Sequence, residues 1–445
     1  VKIEYRNLRV ALLGGGSVGA QVARLLLEQG PELANRVGAT LELVGIAVRD
    51  VNAERSVDLP RELFTTNAEE LILSADIVIE LMGGIEPARS HILLAISSGA
   101  DVVTANKALL ALHGSELFAA ANQVGAQINY EAAVAGAIPI VRPLRESLAG
   151  DQIKRILGIV NGTTNFILDR MDTEGSSLED ALAEATALGY AEADPTADIG
   201  GYDAAQKAAI LASLAFHTTV PLASVYREGI TSVTSAQIES ARKAGYVVKL
   251  LAICERVTDD NGVDGVSARV YPAMVPRSHP LAAVHGANNA VFVEAESAGS
   301  LMFYGAGAGG VETASAVLGD VVSIARRHVA GGPGVAASSY ATLPVFDIGR
   351  VTTRYAVTLE VTDEPGVLAT IASVFSKRKV SLALVEQSMT PAVVATKSRA
   401  ARSATATLVI GTHDATEAAL AATVHDLATN SVVSEVASVL RVEGV

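Results

Sequence analysis

From Leu8 to about residue 150 the chain repeats one pattern. A short apolar run is followed by a turn of glycine or small residues, then by apolar positions at helical spacing. LRVALL (8–13) is the first run. GGGSVG (14–19) follows it, and Val22, Leu25 and Leu26 recur at three- and four-residue intervals, as expected of a buried strand leading into an amphipathic helix. LELVGIAVRD (41–50) and ADIVIEL (75–81) are further strands. DVVTANKALLALHG (101–114) reads as strand, turn and helix, and AQINYEAAVAGAIPIVRPLRESLAG (126–150) as strand, small-residue loop and helix. This alternation predicts a parallel sheet covered on both faces over residues 1–150. Ligands bind such sheets at the carboxyl ends of strands, where Lys107, Glu131 and the 133–139 loop fall.

From residue 151 the pattern changes. Ile153, Ile156, Gly158 and Val160 lead to a turn at NGTTN, and a helix follows over 178–188. YVVKLLAICERV, GVSARVYPAMV and NAVFVEAES predict a second, mixed sheet with helices on one side, within a unit spanning 151–330. LMFYGAGAGGVETASAVLGDVVSIARRH (301–328) returns to strand, glycine turn and long helix, and is expected to rejoin the first unit near 305–340. Residues 331–350 are rich in Gly, Pro and Ser and read as a linker. Residues 351–445 then run βαββαβ, the ferredoxin-like order, as a separate domain with nothing catalytic in it. The fold class is therefore α/β plus α+β in a multidomain chain.

Composition narrows the functions. The chain has 445 residues, half of them apolar, and no apolar run long enough to span a membrane without a charge. VKIEYRNLRVALLGGG lacks a small-residue cleavage site, so no signal peptide is expected. A net charge of −14 argues against a nucleic-acid partner, which calls for a basic surface. The single Cys254 excludes an internal disulfide and fits a reducing, cytoplasmic setting. His279 and His285 lie six apart with a proline between them and do not make a zinc site.

Gly14, Gly16 and Gly19 fit G-x-G-x-x-G between a strand and a helix, the context a Rossmann dinucleotide site requires. Gly14 permits the tight turn, Gly16 admits a pyrophosphate to backbone amides, and Gly19 lets helix and strand approach. The helix N-terminus at Ser17 and Val18 favours the anion. At the end of the second strand Arg49 would pair with a 2′-phosphate and Asp50 with a 2′-hydroxyl. Arg49 tilts the expectation to NADP, with NAD as the alternative. Further on, YAEADPTADIGGYDAAQKAAILASLAF (190–216) crowds Glu192, Asp194, Asp198 and Asp203 around Lys207. Asp203 and Lys207 are four apart on one helix face. In isolation that is a surface ion pair worth about 0.3 kcal/mol.

Together the motifs resemble the homoserine dehydrogenase family over nearly the whole chain. GGGSVG (14–19) is shared with many Rossmann proteins. VVTANKALL (102–110), EAAVAGAIP (131–139), NGTTNFIL (161–168), LGYAEADPTADIGGYDAAQKAAIL (188–211) and FYGAGAGG (303–310), in this order, are specific to the family. The C-terminal unit resembles an ACT domain, an amino-acid-sensing module found in the long bacterial form. Two positions depart from the family pattern: Gly200, where an acid or asparagine is more usual, and Gly15, where a larger residue is.

The resemblance implies hydride transfer between L-homoserine and L-aspartate 4-semialdehyde with a nicotinamide cofactor, in threonine, methionine and isoleucine biosynthesis. It implies Lys207 as proton donor to the aldehyde oxygen, Asp203 as a holder of substrate, and Lys107 near the nicotinamide and the reacting oxygen. Glu192 and then Asp198 are the expected partners of the substrate ammonium. Thr104 and Gly307 are expected cofactor contacts. Main-chain oxygens of Glu131, Val134, Gly136 and Ile138 are expected to ring a structural monovalent cation, sodium. The turn Asp363–Gly366 resembles an effector-binding turn, with L-threonine as the implied effector, and a homodimer or homotetramer is expected. A fused aspartate kinase is not expected, since no kinase-length segment precedes Leu8. The alternatives are a Rossmann dehydrogenase acting on a related amino acid, which would not need the Glu192–Lys207 array, and a non-catalytic amino-acid sensor, which would not keep both lysines.

Overall fold

The structure is a computed structural model and describes residues 6–259, 261–331, 339–389 and 405–444. Its first sheet contains β1 (Arg6–Leu13), β2 (Ala39–Ala47), β3 (Phe64–Thr65), β4 (Ile77–Glu80), β5 (Asp101–Thr104) and β6 (Ile128–Asn129), all parallel, in the order β3-β2-β1-β4-β5-β6. This is the doubly wound dinucleotide-binding order, with its switch point between β1 and β4. Helices α1 (Ser17–Glu28), α2 (Gly30–Val37), α3 (Ala68–Leu73), α4 (Ala88–Ser97) and α5 (Lys107–Val124) connect the strands. Val10 and Leu12 face one apolar cluster and Ala11 and Leu13 the other, the period-two alternation of a strand buried on both sides.

The helix expected before residue 150 forms, but it is short and π-type over Pro143–Ser147. Pro139 and Pro143 deprive that stretch of amide donors. The Glu131 carboxylate takes three others, the amides of Ile140, Val141 and Arg142.

The second sheet is built from β7 (Ile153–Ile159), β8 (Tyr226–Arg227), β9 (Tyr246–Thr258), β10 (Asp264–Pro276), β11 (Asn288–Ala295) and β12 (Gly299–Ala306). Around it lie α6 (Gly162–Glu174), α7 (Leu178–Ala187), α8 (Thr196–Ile199), α9 (Tyr202–Ala215) and α10 (Ser235–Lys243). Val248, Leu250, Ala252 and Cys254 of β9 face the core shared with α9, while Val247, Leu251 and Ile253 face a second cluster on the opposite side. After β12, α11 (Gly310–Ala330) packs back on α1.

The C-terminal unit is β13 (Thr352–Thr362), α12 (Val367–Lys377), β14 (Leu382–Met389), β15 (Thr405–Thr412), β16 (Ala415–Thr416), α13 (Glu417–Ala428) and β17 (Val433–Val442). Its main strands run β17-β13-β15-β14, antiparallel, the ferredoxin-like arrangement.

Two expectations are corrected. The C-terminal unit is not separate: β17 joins β10 in parallel at Ala273↔Arg441 and Met274↔Val442, so one sheet runs through both. The 331–350 segment is not uniformly a loose linker. Residues 332–338 lie outside the described residues, but Val345 bridges Val266, and Phe346 is buried and donates its amide to the Val266 carbonyl.

Candidate active site

A cleft of about 790 Å³ opens where the first sheet meets the second. The first unit lines it with Val18, Lys107 and the 132–136 loop. The second lines it with Asn161, Glu192, Asp198, Asp203, Lys207 and the 306–309 turn.

Lys207 is buried in the second turn of α9. Its Nζ donates to the Val160 carbonyl at 2.6 Å and to Asp203 Oδ2 at 2.8 Å. Lys107, at the first position of α5, reaches the other oxygen of the same carboxylate: Nζ lies 2.6 Å from Asp203 Oδ1. One buried carboxylate thus holds two lysines from two domains. Burial works against ionisation of Asp203, yet Lys207 and Lys107 hold its carboxyl well below the ordinary range. Burial pushes the Lys207 ammonium below the usual lysine range, against the pull of Asp203 and aided by the charge of Lys107. Lys107, 42% exposed, stays open to the cleft.

Asn161 was not singled out by the sequence, although it opens the NGTTN turn. Its Nδ2 donates to Asp198 at 2.7 Å and Asp203 at 3.0 Å, while its Oδ1 caps α6 through the Thr164 amide at 2.9 Å. One side chain therefore fixes the spacing of two carboxylates and starts a helix. Burial, followed by the repulsion of Asp203, raises the Asp198 carboxyl against the Asn161 hydrogen bond. Glu192 is exposed at the mouth of the cleft.

The glycine turn is shaped for a dinucleotide. A Cβ at Gly19 would sit 2.1 Å from the Gly14 carbonyl oxygen, whereas one at Gly16 would meet nothing within 4 Å, leaving the approach to the α1 N-terminus open. Gly16 caps α1 without a side-chain hydrogen bond, so the first amides of the helix, at Ser17 and Val18, are available to an anion. Arg49 is exposed just beyond β2. A second arginine, missed in the sequence because it follows in an irregular loop, is Arg55. It lies over the Phe64 ring at 4.2 Å, with Nε 3.2 Å from where a Gly15 side chain would begin. Thr104 stands beneath the cleft: it is fully buried, its hydroxyl donates to Glu80 at 2.7 Å and it accepts the Asn106 amide at 3.0 Å. Its side chain supports the turn that carries Lys107.

Gly307 lines the cleft, and a Cβ there would fall 2.0 Å from Asn289 Nδ2. Gly136 presses on it from the opposite loop: its Cβ would be 2.3 Å from the Gly307 carbonyl oxygen. Only glycines let these two turns meet. The 131–142 loop is closed by Glu131, whose buried carboxylate also pairs with Arg142 Nε at 3.0 Å, and whose amide donates to Asp320 of α11 at 2.7 Å. Burial and the charge of Glu131 push Asp320 up to about 7. Within the loop, the carbonyls of Val134, Gly136 and Ile138 accept no backbone hydrogen bond among the described residues. No cluster of three or more His, Cys, Asp or Glu side chains able to hold a metal occurs among the described residues.

A doubly wound dinucleotide fold, opened at its switch point against a lysine–carboxylate cluster, defines a nicotinamide-dependent dehydrogenase. Comparison with known proteins agrees. Residues 14–131 match the family model "Homoserine dehydrogenase, NAD binding domain", and residues 139–322 match "Homoserine dehydrogenase". The homoserine dehydrogenase of Mycobacterium tuberculosis is 55% identical over 99% of both chains. The crystal structure of a homoserine dehydrogenase from Thiobacillus denitrificans superposes with a TM-score of 0.88 at 35% identity, covering 99% of each chain. A hyperthermophilic archaeal homoserine dehydrogenase in complex with NADPH covers 74% of this chain and 99% of its own, with a TM-score of 0.60 and 29% identity. The chain belongs to the homoserine dehydrogenase family and is an NAD(P)-binding oxidoreductase of amino-acid biosynthesis.

Proposed function

We propose that the interconversion of L-homoserine and L-aspartate 4-semialdehyde in this chain runs through the Lys207–Asp203–Lys107 cluster, with NADP(H) as the preferred dinucleotide. The observation that carries the assignment is the single buried carboxylate shared by two lysines inside the cleft. Held by the glycine turn and the cleft, the nicotinamide would supply the hydride chemistry. Lys207 handles the proton at the substrate oxygen. Its ammonium has two fixed acceptors, Val160 O and Asp203, which leaves its third donor position for the substrate. Burial lowers its affinity for a proton, so the neutral amine needed to take the hydroxyl proton of homoserine is populated below the ordinary lysine range. Asp203 stays ionised and orients both lysines. Lys107 lends positive charge beside an oxygen that turns negative during the reaction.

Glu192 and Asp198 take the substrate ammonium, with Asn161 holding Asp198 in place. Gly14, Gly16, Ser17, Val18 and Gly19 cradle the pyrophosphate, Gly307 and the Thr104 turn border the nicotinamide, and Arg49 faces the 2′-phosphate. Arg55 joins Arg49 there because it stands beside Gly15 of the glycine turn, anchored on the Ala53 and Asp50 carbonyls. The NADPH complex of the archaeal relative supports this preference. The carbonyls of Glu131, Val134, Gly136 and Ile138 suit a structural monovalent cation, sodium, since three of them lack a backbone donor. The unit from 351 onward serves as an ACT domain: α12 begins after the Asp363–Gly366 turn with no side-chain cap, a fit for the carboxylate of an effector such as L-threonine. The domain plan is 1–150 for dinucleotide, 151–330 for substrate and assembly as a homodimer or homotetramer, 331–350 as connection and 351–445 for regulation. The enzyme works in the cytoplasm, consistent with its lone buried thiol. No helix among the described residues is long and apolar enough to cross a membrane.

The test is nicotinamide reduction followed at 340 nm with L-homoserine, using NADP and NAD in turn. NADP is expected to give the higher kcat/KM. Lys207→Ala is expected to lose at least about 100-fold in kcat, as for a missing general acid–base. Turnover that survived the substitution would move the proton to another group, Lys107 first.

A further inference from the structure

The free edge of β10 gathers two segments that are far apart in sequence. β8 pairs with it at Arg269↔Tyr226 and Val270↔Arg227, and β17 pairs with it three residues further on. Where they meet, Arg441 of β17 grips Glu228 with both terminal nitrogens, at 2.8 and 3.0 Å. The same guanidinium binds Glu417 of α13 at 3.0 and 2.5 Å and lies over the Tyr271 ring at 4.4 Å. Arg441 and Glu417 are both buried.

Glu228 sits in a strap, residues 227–230, that lies directly against the loop leading into α9. Arg227 donates to the Gly200 carbonyl and stacks on Tyr202 at 3.5 Å. The Ile230 amide donates to the Ile199 carbonyl at 2.8 Å. Between these contacts there is no slack: a Cβ on Gly229 would lie 2.2 Å from the Ile199 oxygen and 2.7 Å from Gly200 Cα. The loop held in this way follows Asp198 and opens the helix that carries Asp203 and Lys207.

We propose that Arg441, in the last strand of the C-terminal unit, is a positioning residue for the substrate side of the cleft. Through Glu228 it fixes the 227–230 strap, and the strap fixes loop 198–201, so the C-terminal unit sets how homoserine is held without touching it. The dinucleotide belongs to the other unit, against which the strap makes no such contacts among the described residues. The inference rests on the assignment of residues 192–207 to the substrate.

The experiment compares Glu228→Gln, Arg441→Met and the double variant in the full chain, with KM for homoserine and for NADP measured separately. Each single change is expected to raise KM for homoserine by about five-fold or more, the double change is expected to add nothing further, and KM for NADP is expected to stay within about two-fold. Arg441→Lys, which keeps the charge, is expected to recover part of the loss. An unmoved homoserine KM in Glu228→Gln overturns the proposal. So does a rise shared equally by both substrates, or single effects that simply add. If Arg441→Met does not fold, Glu228→Gln and Arg441→Lys still decide the matter. Full activity in Lys207→Ala would strike the site assignment instead. With that activity lost and the homoserine KM of Glu228→Gln unchanged, the relay alone falls.

Discussion

Asp203 is the residue on which the site turns, because it faces two lysines and an amide at once. In homoserine oxidation the rate should climb with pH as Lys207 loses its proton, and the climb should lie below the ordinary lysine range because burial lowers that group. Asp203 opposes the lowering. Asp203→Asn should therefore move the climb to still lower pH, even as kcat falls by about ten-fold or more through lost orientation. A kcat profile between neutral and alkaline pH checks this, and a climb displaced upward would contradict it. The Asp203–Lys207 pair was legible in the sequence because both residues lie on one helix, where spacing gives geometry. Lys107 and Asn161 were less so. The TANK and NGTTN motifs marked their neighbourhoods, but only the tertiary fold brings Lys107 to Asp203 Oδ1 and turns the Asn161 amide to two acids. Arg55 gave no signal at all, since nothing in an irregular loop fixes where a long side chain points.

At the scale of elements, the 131–142 loop is irregular yet tightly fastened. The buried Glu131 carboxylate accepts the amides of Ile140, Val141 and Arg142 and pairs with the part-exposed Arg142 side chain. It does for a loop what a cap does for a helix end. Glu131→Ala would leave two buried amides, a part-buried amide and a guanidinium without their acceptor, and should cost about 3 kcal/mol or more of stability, read by urea denaturation. A loss under about 1 kcal/mol would mean that water or another side chain replaces the carboxylate and that the clasp is incidental. The sequence showed this stretch as strand, loop and helix. The strand was correct because β6, with Ile128 in the core, pairs in parallel with β5. The helix is present but short, a π-type turn over Pro143–Ser147, because apolar spacing in IPIVRPLRESL says nothing of donors already spent on a distant carboxylate. The βαβ elements before it were legible for the opposite reason: in a doubly wound sheet, local pattern and tertiary burial demand the same residues.

Over the whole molecule, the pattern of strands gave the two α/β and α+β units and the ferredoxin-like order after residue 351, but not the seam between them. That seam consists of two residue pairs on β10 and a set of buried charges, and neither leaves a periodic trace. Arg269, fully buried in β10, donates to Tyr271 at 3.0 Å and Glu255 at 2.6 Å; Tyr271 in turn donates to Glu443, beyond β17, at 2.5 Å. Glu443 also receives Arg155 of β7. The catalytic sheet therefore relies on the C-terminal unit to complete a buried network, since a buried ion stripped of one partner is strongly destabilising. A chain ending at residue 350 would lose Glu417, Arg441 and Glu443 together, exposing the β10 edge and leaving Tyr271, Arg155 and Glu228 without those partners. Its thermal midpoint should fall by at least about 5 °C relative to the full chain, and the full chain should melt in one transition. Two transitions in the full chain, with a truncated form that keeps the upper midpoint, would instead mark the C-terminal unit as an appended domain whose ion pairs contribute nothing to the enzyme it touches.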